Sequence, residues 1–395
     1  MVIQLFKPFM DDQEVKAVAA VIGSGWIGLG PKTAEFEQAF ADFLGTPYAV
    51  GLNSATAALC LALKLLGINH GDEVIVPTMT FVSTAHAVAY NLAAPVFVDV
   101  DSDTLNMDIG DVARKITSHT RAVIPVHYGG RSVDMDRLRD VVGNIPVIED
   151  AAHACGAEYK GRKVGTLGLI SCFSFHAVKN LAMGDGGALV TTERALAERA
   201  KRLRWLGIDR GTWDRSGADR SYWWQYFVDE IGLKCHMNDI AAAIGLVQLR
   251  KLPASNARRR QIAQQYTEGL SDLPWLSTPP MDTPDFQSSW HIYCVKAKSR
   301  DDLSDHLKER GISTGVHYKP IHLYSCYGNR PSLPVAEQVF DEILSLPMHP
   351  GLSEDDVCCV IEAIRSFRPA YSRLLWDIPP VFVKRQSPLP VLASE

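Results

Sequence analysis

The 395-residue sequence predicts an α/β fold: a mainly parallel, seven-stranded sheet between helix layers, followed by a smaller C-terminal α+β domain. Three observations carry this reading. Seven short runs are apolar and β-branched throughout, as strands buried on both faces must be. Helix-like stretches separate several of them, which is the spacing of strand–helix–strand crossovers. The pattern then changes after Leu252-Pro253.

In order, the strand runs are residues 48–52, 73–76, 95–100, 121–126, 146–148, 171–175 and 188–191. Helix candidates lie at 55–66, 84–92, 109–116 and 134–142. Right-handed crossovers place functional loops at the carboxyl ends of such strands. Beyond Pro253, a long polar helix at 254–270 leads to a strand candidate at 289–297 and a helix at 301–310. Further elements at 315–318, 335–344 and 355–366 complete the second unit. The expected division is a large domain over 1–252, a small domain over 253–370 and a proline-containing tail over 371–395. The tail holds Pro379-Pro380 and Pro388-Leu389-Pro390 and reads as extended chain.

Composition removes several function classes. A formal charge of −5, with no lysine- or arginine-dense arm, offers no basic field for nucleic acid. No apolar segment approaches bilayer-spanning length, so no membrane partner is expected. The N-terminus, Met1-Val2-Ile3-Gln4-Leu5-Phe6-Lys7-Pro8, lacks the charged head and long apolar core of a signal peptide. Eight scattered cysteines with no Cys-x-x-Cys pair argue against a metal site or a disulfide framework. A cytoplasmic location is the resulting expectation.

The chemistry concentrates at two strand ends. Phe173-Ser174-Phe175-His176-Ala177-Val178-Lys179-Asn180 carries one lysine past an apolar run, ahead of Gly184-Asp185-Gly186-Gly187. Upstream, Pro146-Val147-Ile148 ends in Glu149-Asp150. A pyridoxal phosphate (PLP) enzyme needs such a pair: the lysine forms a Schiff base, and the acid keeps the pyridine nitrogen protonated. A structural ion pair has the same signature. Asn53-Ser54-Ala55-Thr56-Ala57-Ala58 sits between a strand and a helix, where small residues admit a phosphate to free N–H groups. Plain capping by Ser54 is the favoured reading of this segment taken alone. No P-loop occurs, which argues against ATP, and the Gly-x-Gly-x-x-Gly spacing of Gly23-Ser24-Gly25-Trp26-Ile27-Gly28 precedes the first strand run instead of following one, which argues against NAD.

The assembled order of motifs resembles the DegT/DnrJ-type sugar aminotransferases, a fold type I PLP family, from about Gly25 to Ser366. The resemblance rests on Ser24-Gly25-Trp26-Ile27-Gly28-Leu29-Gly30-Pro31, Asn53-Ser54-Ala55-Thr56-Ala57-Ala58-Leu59, Pro77-Thr78-Met79-Thr80-Phe81-Val82-Ser83-Thr84 and Pro95-Val96-Phe97-Val98-Asp99-Val100-Asp101. It continues through Pro125-Val126-His127-Tyr128-Gly129-Gly130, Glu149-Asp150-Ala151-Ala152-His153-Ala154, the Lys179 segment and Gly232-Leu233-Lys234-Cys235-His236-Met237-Asn238-Asp239-Ile240.

Carried over residue by residue, the resemblance implies that Lys179 holds PLP and moves the proton between substrate carbon and cofactor. Asp150 pairs with the pyridine nitrogen, Phe81 stacks on the ring and His153 bonds its phenolic oxygen. Ala55, Thr56 and Ser174 bind the phosphate. Lys234 matches a loop position that reaches the phosphate of the neighbouring subunit, although the tyrosines common on either side are here Leu233 and Cys235. A shared active site and a homodimer follow from it. Trp26, His317, Tyr318 and His322 match regions that line the sugar side.

The implied reaction moves an amino group from glutamate, or glutamine, to a ketosugar, with a leaning toward a nucleoside-diphosphate-linked 4-ketosugar. Free or phosphorylated ketosugars and cyclitols are the alternative acceptors. A PLP-binding regulator without catalysis predicts a damaged catalytic set, which this chain does not have. The aromatic-rich segment from Trp205 to Trp224 fits base stacking, a dimer contact or a lid.

Overall fold

The computed structural model describes residues 2–209, 226–328 and 331–369. Trp213, Trp223, Trp224 and the tail after Pro369 therefore lie outside the described residues.

The strands of the first half are β1 (Tyr48–Leu52), β2 (Glu73–Pro77), β3 (Ala94–Val98), β4 (Thr120–Val123), β5 (Ile148–Asp150), β6 (Glu158–Tyr159), β7 (Arg162–Lys163), β8 (Ile170–Ser174) and β9 (Gly187–Thr191). They form a four-stranded sheet in the order β1-β9-β8-β5 and a three-stranded sheet in the order β3-β2-β4. Parallel bridges Val123↔Val147 and Val126↔Asp150 join the two, so the expected continuous sheet occurs as two linked halves. β2 pairs parallel with β3 and β4, and β5 with β8. β9 runs antiparallel to both neighbours, against the mainly parallel expectation. A parallel return needs a crossover, usually helical, whereas the 175–186 connection holds no helix and returns as a long hairpin loop. That loop carries Lys179.

Helices α1 (Asp12–Ser24), α2 (Pro31–Leu44), α3 (Ala55–Leu65), α4 (Ser83–Tyr90), α5 (Ile109–Lys115), α6 (Met135–Val142) and α7 (Arg194–Leu203) are the helical elements of the same half. The period-two alternation of strands splits the core between the two faces. Val74 and Val76 of β2 pack with Leu59 and Leu63 of α3. Ile75 between them packs with Phe36 and Phe40 of α2 and with Phe173 of β8.

A 32-residue helix, α8 (Asp239–Leu270), leads out of this half. Its first residue is a buried anchor. Asp239 accepts hydrogen bonds from the backbone N–H groups of Gly30 (3.0 Å), Lys32 (3.1 Å) and Thr33 (2.9 Å), binding α8 to the start of α2. The expected domain boundary at 252/253 falls inside α8, which continues through Pro253. Proline removes one helical hydrogen bond there. The buried stripe Leu249, Leu252, Asn256, Arg259, Ala263 and Tyr266 keeps the three–four spacing across it, so packing overrides the local break.

Beyond α8 come β10 (Leu276–Ser277), β11 (Phe286–Gln287), β12 (Tyr293–Ala297), α9 (Arg300–Glu309), α10 (Pro334–Glu342), β13 (Ile343–Leu346) and α11 (Glu354–Ser366). β10, β12 and β13 make an antiparallel sheet. It packs with Ile262 and Tyr266 of α8, Leu303 of α9 and Val360 of α11 around a separate core. Among the described residues, no helix is long and apolar enough to cross a membrane.

Candidate active site

Adjacent residues of β5 point to opposite faces, and each has its own task. Glu149 is fully buried and turned away from the cavity. It accepts hydrogen bonds from His127 Nε2 (3.0 Å), the N–H groups of Gly165 (2.9 Å), Leu167 (2.7 Å) and Gly168, and Ser171 Oγ (2.9 Å). The Val133 N–H donates to His127 Nδ1 at 3.1 Å, which leaves Nε2 to carry the proton. Burial alone would raise the Glu149 carboxyl, but His127 and the converging N–H donors hold it below the ordinary range. This network fixes the end of β5.

Asp150, the last residue of β5, faces a cavity of about 350 Å³. Thr84 Oγ1 donates to Asp150 Oδ2 (2.8 Å), and the Ala152 N–H donates to Oδ1 (3.1 Å). Burial pushes its pKa up, opposed by these two bonds and by Lys179. Lys179, from the β8–β9 loop, lines the same cavity, and burial pushes its amine down to about 8. An acid whose charge burial disfavours and an amine poised near neutrality thus share one pocket.

The remaining walls come from separate elements. Ser54 caps α3 by accepting from the Ala57 N–H at 3.1 Å. Ala55 and Thr56 line the cavity at the start of that helix, where first-turn N–H groups have no intrahelical acceptor. Thr56 Oγ1 lies 2.8 Å from Ser83 Oγ. A Cβ at Gly187 would overlap the Ser54 carbonyl group, so glycine alone lets β9 start this close to α3. Phe81 is 57% exposed, which rules out a core role and leaves its ring at the cavity, 6.1 Å from the Tyr318 ring. His153 is buried, with Nε2 3.1 Å from the Tyr318 hydroxyl and Nδ1 without a partner among the described residues. Burial, then the Lys179 and His317 charges, push its pKa well down, so the ring is neutral. His317 bonds Ser345 Oγ through Nδ1 (2.8 Å), and its carbonyl accepts from the Tyr128 hydroxyl.

One chain thus brings together Ala55, Thr56, Phe81, Asp150, His153, Ser174, Lys179, His317 and Tyr318. It does not bring in three others. His322 is 1% exposed; its ring ties Thr78 Oγ1 (2.6 Å) to Glu337 (3.2 Å), so it joins the end of β2 to α10. Trp26 lines a separate hollow with Trp205 and His236. Lys234 is exposed, its Nζ 4.3 Å from the Trp205 ring centroid. Thr84 and His291 are close partners of the site that motif reading did not single out. His291 Nε2 sits 3.4 Å from Lys179 Nζ, and the sequence signal for it was only a histidine beside an apolar strand run.

The sequence matches the model of the DegT/DnrJ/EryC1/StrS aminotransferase family over residues 8–365. It is 40% identical to the spore coat polysaccharide biosynthesis protein SpsC of Bacillus subtilis, over 91% of this chain and 95% of that one. Among solved structures it is similar to the aminotransferase TlmJ from Streptoalloteichus hindustanus (40% identity, TM-score 0.87), covering 92% of this chain and 98% of the other. It is also similar to the PLP form of Spr1654 from Streptococcus pneumoniae, assigned as a sugar aminotransferase (33% identity, TM-score 0.84, covering 92% and 98%).

Proposed function

This chain belongs to the DegT/DnrJ/EryC1/StrS aminotransferase family and is a PLP-dependent aminotransferase; from that premise we propose that it transfers the amino group of glutamate, or glutamine, to a nucleoside-diphosphate-linked 4-ketosugar. The observation that carries the reading is the convergence of Asp150 and Lys179 on one cavity with a helix N-terminus at its wall. A cavity of this volume is of ligand-binding size.

The residues present fit the cofactor. Asp150 keeps acceptor capacity for a protonated ring nitrogen, a charge-assisted bond that is strong in a dry pocket. His153 Nδ1, without a partner among the described residues, is available to the phenolic oxygen. Phe81, at the cavity wall, would stack on the ring. The α3 N-terminus, Thr56 and Ser174 suit a phosphate. When bound, the cofactor supplies an electron sink for the charge left on the substrate carbon.

The chain's own residues do the rest. With its pKa near 8, Lys179 has enough free amine to attack a carbonyl and to take up and return a proton at Nζ. Asp150, buried and held by Thr84 and the Ala152 N–H, would keep the ring nitrogen's proton in place. Among the described cavity-lining residues Lys179 is the one lysine and there is no arginine. The phosphate therefore calls for a further cation, and exposed Lys234 of a second copy is the proposed source. SpsC is a polysaccharide biosynthesis protein, and Spr1654 is assigned as a sugar aminotransferase, which supports a sugar acceptor and a role in amino-sugar formation. An acceptor panel tests the reading. Turnover with nucleotide-linked 4-ketosugars and none with free or phosphorylated ketosugars or cyclitols is the expected result; the reverse preference overturns it.

A further inference from the structure

Resting on that reading of Lys179, we infer that His291 is a positioning residue for it: the ring is locked as the Nδ1–H tautomer, so that its bare Nε2 accepts a hydrogen bond from the lysine amine. The lock follows from donors and acceptors alone. Asn256 Nδ2 donates to the Cys155 carbonyl at 2.9 Å. A carbonyl only accepts, so this contact orients the Asn256 amide and leaves its Oδ1 as an acceptor. Asn180 Nδ2 donates to that oxygen (2.9 Å) and to the Ser289 carbonyl (2.7 Å). Asn180 Oδ1 is then the atom 3.1 Å from His291 Nδ1, and it demands an N–H there. A neutral imidazole has one proton, so Nε2 carries a lone pair toward Lys179 Nζ, 3.4 Å away.

The surroundings keep the ring in that state. His291 is 2% exposed and stacks on Phe6, with ring centroids 5.4 Å apart. The groups facing it are Lys179, His153, Arg259 and His317, and each positive charge among them opposes protonation, as burial does. A second charge beside Lys179 is thereby avoided. The relay runs from a main-chain carbonyl, through two asparagines and an imidazole, to the lysine. Asn180 is also the residue next to Lys179 in the chain, so the anchor and its load move together.

The consequence is measurable on the cofactor-free protein. A lone pair facing an amine favours its ammonium form, so His291→Phe lowers the pH at which Lys179 becomes reactive. Pulse labelling with acetic anhydride across a pH series, read by mass spectrometry of the Lys179 peptide, gives that midpoint. The expected shift is downward by roughly half a pH unit, since one polar partner is lost. In the loaded enzyme, kcat of the glutamate half-reaction falls about tenfold, as a lysine freed to wander is worse placed. KM for glutamate stays within about twofold, because His291 is not among the described residues that line the cavity. His291→Gln, which keeps an acceptor, restores most of both. A wild-type midpoint in folded His291→Phe overturns the inference. So does a His291→Gln that leaves the midpoint where Phe puts it. Nitrogen-15 NMR of the histidines in the wild-type apo-protein checks the lock without any variant: a protonated Nδ1 and bare Nε2 are expected for His291, and the opposite tautomer overturns the inference. A wild type that binds no PLP at Lys179 removes the proposed function instead, a result distinct from any of these.

Discussion

At the scale of single residues, charge placement decides what β5 does. Glu149→Gln sets an amide N–H₂ against at least two of the donors that converge on the carboxylate. We expect it to cost about 3 kcal/mol, since one partner of a buried charged network is mismatched. The stabilisation is complete above the ordinary carboxyl value of 4.5 and drains away as falling pH protonates the folded carboxylate, whose own pKa lies lower. The melting-temperature gap between wild type and Glu149→Gln should therefore be widest near neutral pH and close in strong acid. A gap that stays constant down to strong acid would contradict the network's charged state. Asp150 and Lys179 were legible in the sequence because motif order names them. Thr84, His291 and Asn256 were not, because their partners lie 66, 112 and 101 positions away and only folding puts them together.

At the scale of elements, the site depends on how closely β9 approaches α3. Gly187→Ala must push the α3 N-terminus outward, because the clash is with backbone and not with a movable side-chain tip. PLP affinity, followed by quenching of intrinsic fluorescence, is expected to fall about tenfold or more as the first-turn N–H groups shift. Unchanged affinity would mean that the helix end does not hold the phosphate. Strand and helix positions were readable from apolar periodicity, since both faces of the sheet are covered. Strand direction at β9 was not, because apolar strands look alike in either direction and the answer lay in a helix-free connection. The course of α8 through Pro253 was equally hidden: a local breaker is visible in sequence, whereas the buried stripe that overrides it becomes decisive only in the packed molecule.

At the scale of the whole molecule, the described residues of the single-chain cavity include one lysine and no arginine for a phosphate, and Lys234 stands apart on an exposed surface. If sites are shared between copies, Lys179→Ala and Lys234→Ala should complement each other. Mixed and re-equilibrated in equal amounts, half the dimers are hybrid, and each hybrid has one site with both lysines intact, giving roughly a quarter of wild-type activity. No recovery on mixing two inactive variants would mean that Lys234 serves its own chain's site, and full activity of Lys234→Ala alone would place it outside the active site. The most direct test of the central claim follows both halves of the reaction on one sample. Wild-type protein loaded with PLP should show a visible lysine-bound band that glutamate converts to the pyridoxamine form, with release of 2-oxoglutarate. A nucleotide-linked 4-ketosugar should then restore the band and yield the amino sugar, and Lys179→Ala should do neither. A wild-type band that neither glutamate nor glutamine discharges, or a discharged protein that no ketosugar recharges, would contradict the account.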